Sequence, residues 1–160
     1  MDMNDKYILD VCCGGKMFWF DKNNKNTIYC DIRSHEKGYI THCPNWSCEP
    51  DIIADYRDLP FDDESFNLIV WDIPHIIKKS TGLITKKYGN LGANWSPDTQ
   101  KAFDCIWSKL KDKGVLIFKY SDLDIKVSDM LNLFPVKPLF GTMTKKSVNN
   151  TYWFCYMKVN

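Results

Sequence analysis

The chain has 160 residues and a mass of 18.7 kDa, the size of one ordinary domain and enough to bury a core without disulfide or metal staples. Hydrophobic residues make up 44% and charged residues 26%, which excludes disordered and fibrous classes. A net charge of +1 and a pI near 7.5 exclude a surface that is basic all over and leave room only for a local basic patch.

The first apolar run, 7–11, reads as a strand that stops at the turn Cys12-Cys13-Gly14-Gly15. A second strand over 27–30 ends at Asp31, a third over 52–54 ends at Asp55, and a fourth over 66–71 ends at Asp72. These runs are too continuously apolar for a sheet wet on one side, and they suit parallel strands covered on both faces. Ser96 as N-cap and Pro97 as first helical residue open a helix in which Ala102, Phe103, Ile106 and Leu110 share one face. Gly114 introduces a fifth strand over 115–120, and a short helix follows over 126–133. Strands over 137–140 and 151–159, joined by a polar turn, complete the pattern as antiparallel neighbours. The expectation is a single α/β domain spanning 1–160: a mostly parallel seven-stranded sheet, an antiparallel last strand and helices on both faces. Two long loops, 33–50 and 73–95, are expected to carry function. The final strand is expected at a sheet edge, where it offers pairing for a homodimer.

No apolar run approaches the ~18 residues of a membrane helix. The first residues are polar and acidic, so no signal peptide is expected. Seven cysteines, an odd count that includes adjacent Cys12 and Cys13, read as reduced thiols in a cytoplasmic protein. His35, His42, Cys43 and Cys48 lie close together with Cys30 upstream, but no Cys-x-x-Cys pair occurs and no metal is expected.

The elements Asp10-Val-Cys-Cys-Gly-Gly15, Asp31, Asp55 and Asp72-Ile-Pro-His75 occur in this order at strand ends. Here the chain resembles the class I S-adenosylmethionine (SAM)-dependent methyltransferases. The stretches 9–22, Lys87-Tyr-Gly89, 116–119, 138–141 and 153–158 are similar to the small single-domain methyltransferases of phages and mobile elements. The resemblance implies that SAM binds beyond the carboxyl ends of the strands. Gly14 and Gly15 would let the backbone approach it, with Cys12 beside them. Asp31 would accept from the ribose hydroxyls and Ile32 would pack on the adenine. Asp55, beside Tyr56, would accept from the adenine amino group. Asp10 would hold the methionine ammonium, directly or through water, and Phe18, Trp19 and Phe20 would wall that end. The chain departs from the family at Cys12 and Lys16, where glycines are usual.

Asp72-Ile73-Pro74-His75 resembles the Asp-Pro-Pro-aromatic motif of methyltransferases that modify adenine N6 or cytosine N4, with Ile73 in place of a proline and His75 in place of a larger ring. The chemistry suits the residues. An exocyclic amine is a weak nucleophile because its lone pair is shared with the ring. Two acceptors, the Asp72 carboxylate and the Ile73 carbonyl, localise that pair and stabilise the charge developing on nitrogen. Pro74 fixes the turn and the ring at 75 stacks on an extruded base. In the following loop, Lys86, Lys87, Tyr88, Asn94 and Trp95, with Lys78, Lys79 and Asn90, mix cations with aromatics and amides as a nucleic-acid contact would. The expected function is methyl transfer to an exocyclic base nitrogen of DNA or RNA, adenine N6 first, with no separate recognition domain. The alternatives are a small-molecule or protein acceptor, and an inactive module of the same fold.

Overall fold

The computed structural model describes residues 6–78, 81–142 and 151–159. Lys79 and most of the polar turn before the final strand lie outside the described residues. Seven strands form one sheet: β1 (Ile8–Asp10), β2 (Thr27–Asp31), β3 (Ile52–Ile53), β4 (Phe66–Asp72), β5 (Leu110–Ser121), β6 (Phe140–Gly141) and β7 (Thr151–Met157). Their spatial order is β3-β2-β1-β4-β5-β7-β6. The first five run parallel, and β7 lies antiparallel between β5 and β6. This is the Rossmann-like sheet expected from the sequence. Its strand order reverses at β1, so the β1, β2 and β4 carboxyl ends meet at the point where such sheets bind ligands.

One face of the sheet carries the core. Leu9, Ile69, Trp71, Leu116, Phe118, Phe154 and Tyr156 point to it. Two helices, α2 (Trp95–Lys109) and α3 (Val127–Leu131), close over them through Ala102, Phe103, Ile106 and Met130. Phe134, just after α3, packs its ring against Phe103, Trp71 and Phe118. The opposite face is covered differently from the expectation of a helix. Residues 11–26, between β1 and β2, hold turns, and Trp19 of this segment lays its ring edge on Tyr29. No helix among the described residues is long and apolar enough to cross a membrane.

Several features differ from the sequence pattern. Helix α2 begins at Trp95 with Asn94 as N-cap, not at Pro97 with Ser96. Pro97 then sits in the first turn, where its missing N–H is not needed. Strand β5 starts at Leu110, straight from the helix. Its pairing with β4 jumps from Phe66↔Leu110 to Leu68↔Val115, and Lys113 in the bulge has a φ of 61°. A helix the periodicity did not reveal, α1 (Leu83–Tyr88), lies in the 73–95 loop. Its six residues are too few to establish a period, and its apolar Leu83 and Ile84 are exposed rather than packed on the core. Strand β7 is not an edge strand: β6 pairs with it at Phe154 and Cys155. That covers part of the backbone on which edge pairing of a homodimer depended.

Candidate active site

Asp10, Asp31 and Asp72 converge because their strands are neighbours. Asp10 is fully buried. It accepts from the indole Nε1 of Trp19 at 2.7 Å and from the Cys12 N–H at 3.2 Å, so both oxygens are used within the chain. It stands under the glycine turn, and it does not line either of the cavities described below. Burial pushes its carboxyl up to about 7, against the two hydrogen bonds, with Asp72 and Asp31 adding to the rise. A raised carboxyl favours the fold when protonated. Its contribution is therefore complete at acid pH and lost as pH rises through about 7, up to ~4 kcal/mol in all. Melting temperature is expected to fall between about pH 4 and pH 7, and Asp10→Asn is expected to flatten that slope. Differential scanning calorimetry across this range checks it, and an unchanged slope in the variant would remove Asp10 as the cause.

Asp31 is buried at the end of β2. Its Oδ2 accepts from the Gly14 N–H at 2.9 Å, which draws the glycine turn toward it. Arg33 donates to the same carboxylate from its backbone N–H, Nε and Nη2 at 3.0, 3.0 and 3.2 Å. The Arg33 Nη1 reaches on to the carbonyls of Lys86 and Lys87 at 3.4 and 3.1 Å, tying α1 to the end of β2. Asp55 repeats the pattern. Arg57, two residues on, donates to it from the backbone and side chain and then pairs with Asp98 at 2.8 Å. The Arg57 hydrogen bond holds the Asp55 carboxyl below the usual carboxylate range. Sequence reasoning missed both arginines, although the repeated Asp-x-Arg at the ends of β2 and β3 was a visible signal.

The two glycines serve different needs. Gly14 has a φ of 47°, a left-handed conformation that glycine adopts without strain. Gly15 is required by a neighbour: a Cβ there would meet Trp46 Nε1 at 2.6 Å and the Ser47 carbonyl at 3.3 Å. Trp46 belongs to a small second core with Ile40 and Cys48, and the His35↔Cys48 bridge pins this 33–50 loop. Lys16, where the resemblance implied a glycine, takes a φ of 52°. Gly15→Ala is expected to push Trp46 out and lower stability by ~1–3 kcal/mol. Thermal melts check this, and an unchanged melting temperature would show that the loop gives way freely.

Two cavities open at the strand ends and share Cys12, Arg33, Pro74 and Tyr88. One, about 220 Å³, is lined by Asp31, Ile32, Asp55, Tyr56, Leu91 and Thr99 among others. Ile32 is 57% exposed onto it, and the buried Thr99 hydroxyl has no hydrogen-bond partner. The other, about 150 Å³, is lined by Gly14, Gly15, Phe18, Asp72, Ile73, His75, Lys87 and Lys119 among others. Together they reach the low end of the ~300–1,000 Å³ typical of ligand sites.

Asp72 and Lys119 are register partners on β4 and β5, and Lys119 Nζ meets Asp72 Oδ2 at 2.5 Å. The ammonium also lies 5.5 Å from the Phe18 ring centre and 5.7 Å from that of Trp153. Burial raises the Asp72 carboxyl, and the Lys119 charge opposes the rise. Burial lowers the His75 imidazole below its ordinary value, with Asp72 opposing, which favours the uncharged ring. It sits 5.6 Å from the Tyr88 ring, and its Nδ1 is buried without a hydrogen-bond partner. Beyond the motif, Ile77 N–H donates to Asp124 at 2.8 Å and fixes the chain as it leaves the sheet. A single lysine inside the apolar run of β5 was the sequence signal for Lys119.

The remaining expected residues divide. Phe18 lines the smaller cavity and meets Trp153 edge-on, Trp19 turns inward to Asp10, and Phe20 is fully exposed. Lys87 and Tyr88 of α1 reach the cavities, but Lys86 does not line them. Asn94 is exposed at the start of α2, and Trp95 packs against the core, so neither lines them. The cysteines and histidines compared for a metal do not gather. Cys48 instead lies near Cys13 and Asp31, whose ligand atoms fall within 4.8 Å of one another. Asp31 there is already engaged by Gly14 and Arg33.

The sequence matches no family model and no curated protein. Solved structures match in fold. The PH0226 protein of Pyrococcus horikoshii OT3 superimposes with a TM-score of 0.62 over 95% of this chain and 81% of that one, at 14% identity. The N-methyltransferase NodS of Bradyrhizobium japonicum WM9 gives 0.60 over 97% and 86%, at 10% identity, and has also been solved with S-adenosyl-L-homocysteine (SAH). A SAM-dependent methyltransferase of Methanosarcina mazei gives 0.53 over 98% and 93%, at 10% identity. By this likeness and by its own strand order, the chain has the fold of the class I SAM-dependent methyltransferases.

Proposed function

We propose that the chain is a SAM-dependent methyltransferase acting on the exocyclic amino nitrogen of a nucleic-acid base, adenine N6 foremost. The observation that carries this is Asp72 at the end of β4, with Oδ2 held by Lys119, on a small cavity walled by Pro74, His75 and the glycine turn. The larger cavity fits the adenosine half of the cofactor. Ile32 offers an apolar face, the unpartnered Thr99 hydroxyl awaits a polar atom, and Asp31 and Asp55 stand at its rim. The Asp31 carboxylate is filled by Arg33 and Gly14, so accepting the ribose hydroxyls requires the Arg33 guanidinium to swing aside. Gly14 keeps the wall thin there, since its nearest neighbour to a Cβ is the Lys87 carbonyl at 3.9 Å.

Bound SAM supplies an electrophilic sulfonium methyl. The chain supplies placement and charge. Lys119 fixes Asp72 in one orientation and leaves Oδ1 to accept an amine N–H. The Ile73 carbonyl would take the second N–H, which localises the nitrogen lone pair out of the ring plane, toward the methyl; the proton that the methylated nitrogen sheds would pass to the Asp72 carboxylate or to water. Neutral His75, braced by Tyr88, offers a flat face to the base without a competing charge. Asp10 acts from beneath, through the Cys12 N–H, as a positioning residue for the glycine turn.

A small-molecule acceptor would suit a closed apolar pocket without a basic rim. Here the Asp72-Ile73-Pro74-His75 motif lines the smaller cavity with Lys87, which has no acidic partner among the described residues, while Arg33 and Lys119 are paired with Asp31 and Asp72; the motif and that lysine support a nucleic-acid substrate. NodS, an N-methyltransferase, is consistent with a nitrogen acceptor. Expression in a host lacking adenine methylases, followed by nucleoside mass spectrometry of DNA and RNA separately, tests the proposal. New N6-methyladenine in either pool is expected, and the absence of any new methylated nucleoside from both would reject a base acceptor.

A further inference from the structure

On the other side of the glycine turn from the adenosine cavity lies an open cleft of about 550 Å³. Its wall is strongly one-signed. Lys16, Lys22, Lys37 and Lys87 line it against a single carboxylate, Glu49, in a chain whose net charge is only +1. None of these four lysines forms an ion pair among the described residues, whereas Lys6, Lys109, Lys119 and Lys158 all do. Asn23, Asn45 and Ser47 add neutral hydrogen-bonding groups between them. The floor is packed: Trp46 is 7% exposed and backs onto Gly15. Lys16 lies there in a left-handed backbone conformation that costs a lysine more than a glycine, with its ammonium 4.0 Å from the Tyr29 ring centre.

The cleft is continuous with the catalytic cavity. Gly14, Gly15, Met17 and Lys87 line both. A chain lying in it therefore passes directly by the mouth that leads to Asp72. We infer that this cleft binds the phosphodiester backbone of a single-stranded nucleic acid, with Lys16, Lys22, Lys37 and Lys87 on successive phosphates, and delivers one unstacked base to Asp72. The inference rests on the nucleic-acid reading above and names its substrate form. Flexible lysines and amides on an open cleft track a backbone without reading sequence. Single strands present a free base, whereas a duplex must first be unstacked to reach a cavity of this depth.

Fluorescence anisotropy with labelled ten-nucleotide adenine-containing strands of DNA and of RNA tests it. Binding to at least one single strand is expected, with log K falling against log salt with a slope of about −2 to −3 for three or four phosphates. The triple variant Lys16→Gln, Lys22→Gln, Lys37→Gln is expected to bind at least about ten-fold more weakly and with a shallower slope. Lys16 packs on Tyr29, so the double variant Lys22→Gln, Lys37→Gln decides the matter if the triple variant misfolds. Circular dichroism identifies that case. Binding by the folded variant within two-fold of the parent overturns the inference, as does equal affinity for a duplex of the same length or no binding of any strand. Methyl transfer to a base that does not depend on these lysines leaves the function proposal standing and removes the cleft. Lysine-dependent binding without methyl transfer does the reverse.

Discussion

Asp72→Ala is expected to reduce methyl transfer by at least ~10²–10³-fold while SAM still raises the melting temperature. The loss follows from the amine having only the Ile73 carbonyl left as an acceptor, so its lone pair stays shared with the ring. Removing Asp72 also strands Lys119, whose side chain is 19% exposed, at a cost of ~1–3 kcal/mol. The double variant Asp72→Ala, Lys119→Met is expected to recover the melting temperature and not the activity. That separates a chemical role from a structural one. Turnover near the parent's in Asp72→Ala would end the motif's assignment. The pH profile carries a related signature. Burial raises the Asp72 carboxyl above the ordinary carboxylate range, and transfer needs it ionised. Activity is therefore expected to fall as pH drops, with its acid limb displaced upward from that of an exposed aspartate.

Asp31→Ala is expected to have the second largest effect, and on two observables at once. Cofactor binding should be lost, because the ribose hydroxyls lose their acceptor. The fold should also be weakened, because Arg33 loses the buried carboxylate and Gly14 loses the bond that draws its turn inward. Removal of one partner from a buried pair costs ~3–5 kcal/mol. Arg33→Met serves as the control. It releases the carboxylate and unties α1 but keeps the acceptor, so it should lower stability and retain cofactor binding by calorimetry. If Asp31→Ala folded and bound SAM with the parent's affinity, the ribose assignment would fall.

The sheet was legible because its first four strands are apolar runs that end at an acidic residue or a glycine turn. Asp10, Asp31, Asp55 and Asp72 marked the carboxyl ends before any strand order was known. Their convergence followed from topology alone. What escaped was polar and local. Helix α1 is six residues long and buries none of them, and its Lys86 and Lys87 carbonyls are held by Arg33 from 53 and 54 residues away. No periodicity records such a contact. Lys119 was hidden in an apolar strand, and only the β4–β5 register sets it beside Asp72. The glycine pair was located correctly, but Gly15 answers to Trp46 of another loop. The edge position expected for β7 failed because two residues of β6 suffice to flank it.

The central claim is that the cavity at Asp72 transfers a methyl group from SAM to a base amine. Purified protein, SAM carrying a deuterated methyl group and single-stranded DNA and RNA, followed by digestion and mass spectrometry, test it most directly. The account predicts N6-trideuteromethyl-adenine in at least one polymer with the parent chain and none with Asp72→Ala. Label that appears on no base, or appears equally with the variant, would contradict it.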